Sequence, residues 1–198
     1  MTQSSPSRVG RPRSGAADEA ILKAASDLLI EAGIDGAGID QVAKRAGVSR
    51  PTVYRRYGDR TELHIAAIHW TFGFRPKEIP QPRDIEELLG WWARSLEAPE
   101  NERIRSLTLR LMPAGHDHPE FAAVFREVSV EPRNAVIREV LHKEKERGRF
   151  PQDTDLEIVR QILAGAVVTH LNTHPKGGTV REAEEFFLAV LHETRFRP

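Results

Sequence analysis

The chain has 198 residues, 29 basic and 29 acidic side chains, and no cysteine. The balanced charge excludes binding of nucleic acid through net charge alone, and the missing cysteines exclude disulfides and thiolate chemistry. No apolar run approaches the roughly 20 residues that cross a bilayer, so we expect a soluble, cytoplasmic protein.

The charge is unevenly distributed along this neutral chain. Residues 1–60 hold ten Lys or Arg against seven Asp or Glu, whereas residues 61–198 hold nineteen against twenty-two. Because phosphate backbones attract cations, the basic excess predicts a nucleic-acid contact in the first third of the chain.

The first sixteen residues are rich in Ser, Pro, Gly and Arg and show no apolar periodicity, which predicts a disordered basic arm. Arg8, Arg11 and Arg13 lie in and around the string GRP (10–12), and we predict that this basic arm lies in a DNA minor groove. The alternative is a solubilising tail.

A first helix is predicted over residues 17–32, with Gly33 as its stop. The next segment, GIDQVAKRAGVSRPTVYRRYGDR (38–60), predicts two short helices joined by a glycine turn. Gly47 suits the positive φ of that turn, Ser49 is a good N-cap, and Pro51 falls in the first turn of the second helix. This arrangement is a helix-turn-helix, whose second helix enters the major groove.

The outward face of that second helix carries the candidate DNA contacts. Arginine can pair with a guanine edge or with phosphate, and hydroxyls can bond phosphate oxygens. The residues predicted to face outward are Arg50, Thr52, Tyr54, Arg55 and Arg56, and Lys44 and Arg60 add charge nearby. The alternative is a solvated basic helix in an ordinary bundle.

The segment ILKAASDLLIEAGIDGAGIDQVAKRAGVSRPTVYRRYGDRTELHIAAI (21–68) resembles the TetR-type transcriptional regulators. The shared motifs are V-A-x-x-A-G-V-S followed by T-V-Y-x-x-Y. The resemblance implies a homodimer that binds a palindromic operator, usually as a repressor, and is released by a small molecule. It also implies recognition-helix contacts from Arg50, Pro51, Thr52, Tyr54, Arg55 and Arg56, with Arg60 on phosphate.

The chain departs from the family pattern at the start of the second helix. Thr or Ser commonly stands there, capping the helix and touching phosphate, whereas this chain has Gly38, followed by Asp40 where a polar or basic residue is frequent.

Beyond the DNA-binding domain, placed at 17–70, residues 71–198 predict an all-α bundle for ligand binding and dimerisation. Four helix starts are predicted by capping patterns, at Asp59–Glu62, Asp84–Glu87, Thr154–Glu157 and Thr179–Glu182. A long helix is predicted over 119–147, and Pro132 should interrupt it. We find no alternating pattern typical of strands.

Two sets of candidate residues follow from this bundle. The resemblance implies that the last two helices, which carry small residues at 164–166, pair with their twofold mates, and we place this dimer interface at Leu163, Val167, Leu171, Phe187 and Leu191. The alternative is that these residues fill the protomer's own core. Aromatic residues predict an effector pocket lined by Trp70, Trp91, Trp92, Phe121 and Phe125.

Nothing in the sequence points to catalysis or a cofactor. There is no G-x-S-x-G, Walker loop or H-E-x-x-H. His116 with His118, and His170 with His174, lack a well-spaced third ligand, so we expect no metal site. We predict a ligand-released DNA-binding repressor; the alternatives are a regulator without a small-molecule effector, and a helical enzyme or metal-binding protein.

Overall fold

A computed structural model describes residues 15–73 and 81–198. Within these ranges the chain forms ten α-helices and no strand, which confirms the predicted all-α class. The first four helices are α1 (Gly15–Gly36), α2 (Ile39–Ala46), α3 (Arg50–Tyr57) and α4 (Arg60–Phe72). The other six are α5 (Ile85–Glu97), α6 (Glu102–Ala114), α7 (Pro119–Phe125), α8 (Glu131–Glu146), α9 (Leu156–Thr173) and α10 (Val180–His192).

The chain divides into two compact units, and the division falls between Ala67 and Ile68, inside α4. Arg11 and Arg13 of the predicted arm lie outside the described residues, as do residues 75–80, which belong to the segment RPKEIPQP (75–82) that its three prolines predict to be a linker.

The first unit is built on the apolar stripe of α1, whose Ile21, Ala25 and Leu29 are buried. The helical run is interrupted at Gly33, which has φ 73° and therefore ends the regular helix where the sequence predicted. Helix α4 begins with the predicted cap, because the Asp59 carboxylate accepts a hydrogen bond from the Glu62 amide at 2.8 Å.

The turn between α2 and α3 has the geometry that its glycine suggested. Gly47 has φ 67° and ψ 30°, which lies in the left-handed region. A residue with a Cβ atom is destabilised in that region. The amides of Gly47 and Val48 bond back to the carbonyls of Lys44 and Ala43 at 3.3 and 3.0 Å, which closes α2. The fully buried Val53 then packs α3 into the unit.

The second unit forms around one apolar cluster drawn mainly from α5, α8, α9 and α10. Asp84 caps α5, and Thr179 and Glu182 form the predicted capping box of α10. The cap of α9 differs from the prediction: the Asp155 carboxylate accepts from the amides of Glu157 and Ile158, while Thr154 is buried. Aspartate is a stronger N-cap than threonine, so the cap falls on the residue after Thr154.

The predicted interruption near Pro132 is a single π-helical turn, Arg126–Val130, between α7 and α8. Pro132 itself stands in the first turn of α8, directly after the π turn. The irregularity therefore lies one turn before the proline. Such π turns occur frequently at functional sites, and this one borders a cavity described below.

The two glycines that flank α2 give a matched test of the turn. Gly47→Ser should lower the free energy of unfolding of the first unit by about 1 kcal/mol, because only glycine adopts φ 67° without strain. Gly38→Ser should leave it unchanged or raise it by a few tenths of a kcal/mol, since Gly38 has φ −75° and no atom within 4 Å of an added Cβ. Hydrogen exchange of the α2 and α3 amides measures both. Equal shifts for the two variants would contradict this account of the turn.

Candidate nucleic-acid interface

The outward face of α3 is polar, basic and open to solvent. Val53 is the single fully buried side chain of the helix. Arg50, Pro51, Tyr54 and Arg55 are exposed, Tyr54 to 45% despite its large ring. The hydroxyl of the partly exposed Thr52 lies 2.8 Å from that of Ser49. An eight-residue helix with one buried side chain leaves most of its surface free to enter a groove.

Arg50 is paired within the protein. Its Nε lies 2.5 Å from Oδ1 of Asp40, and about 60% of each side chain is exposed. An exposed pair of this kind contributes little to stability and is screened by salt, so the guanidinium can exchange the carboxylate for a nucleic-acid acceptor at small cost. Asp40, which departs from the family pattern, therefore holds Arg50 in the absence of DNA.

A shallow recess lies beside this face, where α2 and α4 begin. Gly38, Tyr54 and Arg60 are among its lining residues. The Gly38 amide bonds to Oε1 of Gln41 at 3.3 Å, and Arg60 reaches the Asp35 carbonyl at 3.4 Å. Helix N-termini with a nearby guanidinium suit a phosphate group, and Lys44 is exposed on α2. Asp35, Asp40 and Asp59 line the same recess, so its charge is mixed, and its two arginines, Arg50 and Arg60, are paired with acids.

Arg56 does not belong to the exposed face, which corrects its predicted role. Its side chain is only 11% exposed, and its Nε lies 3.2 Å from Oδ1 of Asp18 on α1. The neighbouring Tyr57 is half-buried, and burial, followed by the Asp18 charge, raises the pKa of its phenol. Arg56 therefore fastens α3 to α1 and is not available to DNA in this structure.

Two further contacts position the helix-turn-helix, and neither has a local sequence signal. Arg45 forms two hydrogen bonds to the Glu31 carboxylate, at 2.8 and 2.7 Å, and they lower the pKa of Glu31. His64 is fully buried, and its Nε2 donates to the Ala37 carbonyl at 2.7 Å, which ties α4 to the start of α2.

The second unit contains a cavity of about 220 Å³ between its helices. Three of the five predicted pocket residues, Trp91, Trp92 and Phe125, line it. The other two do not. Trp70 is 38% exposed under the guanidinium of Arg103, and Phe121 is buried away from the cavity.

The residues predicted for a dimer interface lie mostly inside the protomer. Leu163, Leu171, Phe187 and Leu191 are buried, and Val167 is half-buried and lines the cavity. Their side chains fill the core of the unit because they occupy the inward stripes of α9 and α10. They therefore do not provide the outward face that a partner would need.

The histidines do not assemble a metal site in the part of the chain that the structure describes, which contains no group of three suitable ligands. His170 and His174 stack at 4.5 Å, and Nε2 of His170 lies 2.6 Å from Oε1 of Glu97. None of the described helices combines the length and apolarity of a membrane span.

Two adjacent arginines test which residues of α3 are exposed for DNA and which attach the helix to α1. Arg56→Met should lower the free energy of unfolding of the first unit by about 1 kcal/mol, because the largely buried guanidinium loses its ion pair with the partly exposed Asp18. Arg55→Met should leave stability within about 0.5 kcal/mol and reduce DNA affinity, because Arg55 is exposed. Thermal unfolding and fluorescence anisotropy with a labelled duplex measure the two effects. An unchanged stability in Arg56→Met would refute the support role.

Comparison with known proteins agrees with this geometry. Residues 21–67 match the family model of bacterial regulatory proteins of the tetR family. Residues 82–189 match the tetracyclin repressor-like C-terminal domain, which covers more than half of the chain.

Individual proteins extend the likeness over most of the chain. The HTH-type transcriptional regulator YdeS of Bacillus subtilis is 29% identical over 168 residues, 83% of each chain. The HTH-type regulator AqdR of Rhodococcus erythropolis is 30% identical over 158 residues, 78% of this chain and 75% of AqdR. A transcriptional regulator from Saccharomonospora viridis, solved in complex with choline, shares the fold with a TM-score of 0.70 at 17% identity, over 89% of this chain and 95% of its own.

These matches are to transcriptional regulators and not to enzymes. The exposed basic face of α3 stands on the matched N-terminal domain, and the cavity lies within the matched C-terminal domain. The chain therefore belongs to the TetR family of transcriptional regulators and carries its DNA-binding helix-turn-helix.

Proposed function

We propose that the protein is a cytoplasmic repressor that binds a palindromic operator as a homodimer and leaves it when a small molecule occupies the second unit. The observation that carries this proposal is the outward face of α3, where Arg50, Tyr54 and Arg55 are exposed on a helix of the right size for a major groove.

A dimer is proposed because one reading helix makes too few base contacts to select an operator tightly. The outward face of α9 offers the surface for it. Ile158 and Ile162 are 55% and 44% exposed, and Gly165 is exposed one turn further along. Apolar side chains beside a glycine let two helices approach closely, and a twofold pairing of this face is self-complementary.

The dimer sets the spacing of the two reading heads. Two recognition helices related by a twofold axis bind successive major grooves when they stand roughly 34–36 Å apart. A change in that spacing would prevent both helices from binding their half-sites at the same time. The dimer would then leave the operator although the DNA-facing surface of each helix is unchanged.

The route for release begins at the cavity. Phe125 lines it, and its ring meets the ring of Phe72 at 5.1 Å with a 65° interplanar angle. Phe72 is the last residue of α4. A ligand that displaces Phe125 therefore acts on the end of α4, because a packed aromatic pair transmits displacement rather than absorbing it.

The other end of α4 carries the DNA-binding contacts. Arg60 is its first residue, and His64 bonds to the Ala37 carbonyl just before α2. Since a helix moves largely as one rigid element, we propose that α4 couples the cavity to the start of α2. The Saccharomonospora viridis regulator, which shares this fold, was solved in complex with choline, and this complex supports the proposal of a small-molecule site.

The dimer face has a direct test. Ile162→Glu should weaken self-association at least about 30-fold, because an unpaired charge in an interface costs about 2–5 kcal/mol, and it should lower operator affinity. Ala135→Glu adds the same charge at an exposed site on α8 and should do neither. Analytical ultracentrifugation and binding stoichiometry on an operator selected from genomic fragments measure these effects. Retention of wild-type dimers by Ile162→Glu would exclude this face.

A further inference from the structure

The cavity in the second unit is apolar over most of its wall but carries two guanidinium groups. Trp91, Trp92 and Phe125 supply aromatic wall, while Arg105 and Arg133 supply positive charge. The remaining polar residues of the lining are neutral serine, threonine and asparagine, and no aspartate or glutamate is among them. The charge of the wall is therefore positive.

Arg105 is a buried cation with unused hydrogen-bonding capacity. It is only 6% exposed, its Nη1 donates to the Leu96 carbonyl, and its Nε has no hydrogen-bond partner. Within the described part of the chain no carboxylate comes within 4 Å of it to form an ion pair. Because a guanidinium stays protonated even when buried, a counter-ion would relieve a substantial electrostatic cost.

Glu97 has a carboxylate close to the Arg105 guanidinium, but this carboxylate is already engaged. Glu97 approaches the same point above Gly177 as the Arg105 guanidinium does. However, its Oε1 lies 2.6 Å from Nε2 of His170, and its Oε2 accepts the Gly178 amide. Glu97 thus stabilises the junction of α5, α9 and the loop before α10, and Arg105 is left without a direct partner among the acids.

Arg133 adds a second positive group on another part of the wall. Its Nη1 donates to the Ser129 carbonyl at 3.0 Å, within the π-helical turn. Burial lowers the pKa of Arg133 to about 10, so the group is still protonated at neutral pH. The π turn therefore places its serine where it can hold this arginine at the cavity.

We propose that the cavity binds a compact monocarboxylate with an apolar body, whose carboxylate pairs with Arg105 while the body contacts Trp91, Trp92 and Phe125. The volume, about 220 Å³, lies below the range of about 300–1,000 Å³ typical of drug-sized ligands, which suits a small acid. This inference rests on the proposed function, because it names the effector class of the same site. A quaternary ammonium ligand such as choline lacks a carboxylate partner in this wall.

Octanoate, 1-octanol and octyltrimethylammonium share an eight-carbon chain and differ in the charge of the head group. Comparing them separates the contribution of the carboxylate from that of the apolar chain. We expect octanoate to bind the full-length protein at least about 10-fold more tightly than 1-octanol, a difference of about 1.4 kcal/mol, because 1-octanol cannot form a charge-assisted pair with Arg105. Octyltrimethylammonium should bind more weakly than either. Isothermal titration calorimetry, with Trp91 and Trp92 fluorescence as a second signal, measures all three. Equal binding of octanoate and 1-octanol, or preference for the cation, would overturn the proposal.

Variants locate the carboxylate. Arg105→Met should lose the octanoate preference while keeping 1-octanol affinity, and Arg105→Lys should retain most of the preference. Ala164→Leu, which fills the cavity from α9, should weaken both ligands and provides a test that leaves Arg105 and its bond to Leu96 intact. Unchanged octanoate binding in a folded Arg105→Met, or in Ala164→Leu, would contradict this site.

Operator release separates this inference from the proposed function. Octanoate binding that depends on Arg105 confirms the ligand class. If bound octanoate then fails to release the operator, that result contradicts the proposed ligand-driven release and leaves the ligand class standing. If carboxylates show no preference but another molecule releases the operator, the ligand class is wrong and the proposed function stands.

Discussion

The reading head depends on one constraint: α3 is too short to be stable alone, so its neighbours must hold it. An isolated eight-residue helix is marginal in water. Here the left-handed turn at Gly47 sets its direction, Val53 buries its inner face, and the Arg56–Asp18 ion pair ties it to α1. Because all three act on the inner side, the outer side is left to solvent and to DNA.

The basic residues of the first unit fall into two groups, one paired with acids in the fold and one on the exposed surface. Arg45 and Arg56 face acids on α1 and contribute to the fold, whereas Arg50 and Arg60 lie on exposed pairs with Asp40 and Asp35. Exposed pairs exchange partners at little cost, so these two remain competent for DNA.

Local signals in the sequence predicted local structure well, as Gly33, Gly47 and the Thr179–Glu182 box illustrate. What failed required knowledge of tertiary neighbours. Outward spacing on α3 could not reveal that Asp18 draws Arg56 inward, and the apolar character of Leu163 and Phe187 could not distinguish a protomer core from a dimer face. The Arg105 guanidinium was missed because α6 gives no sign that its arginine points into a cavity.

The central claim is that α3 reads bases while the start of α4 holds the backbone, and comparing Arg50→Ala with Arg60→Ala on operator and random duplexes tests it most directly. Arg50→Ala should cost about 1–3 kcal/mol on the operator and little on random DNA. Arg60→Ala should weaken both duplexes alike and reduce the salt slope by about 1. Identical losses for the two variants on both duplexes, with the same salt slope, would contradict this division of roles.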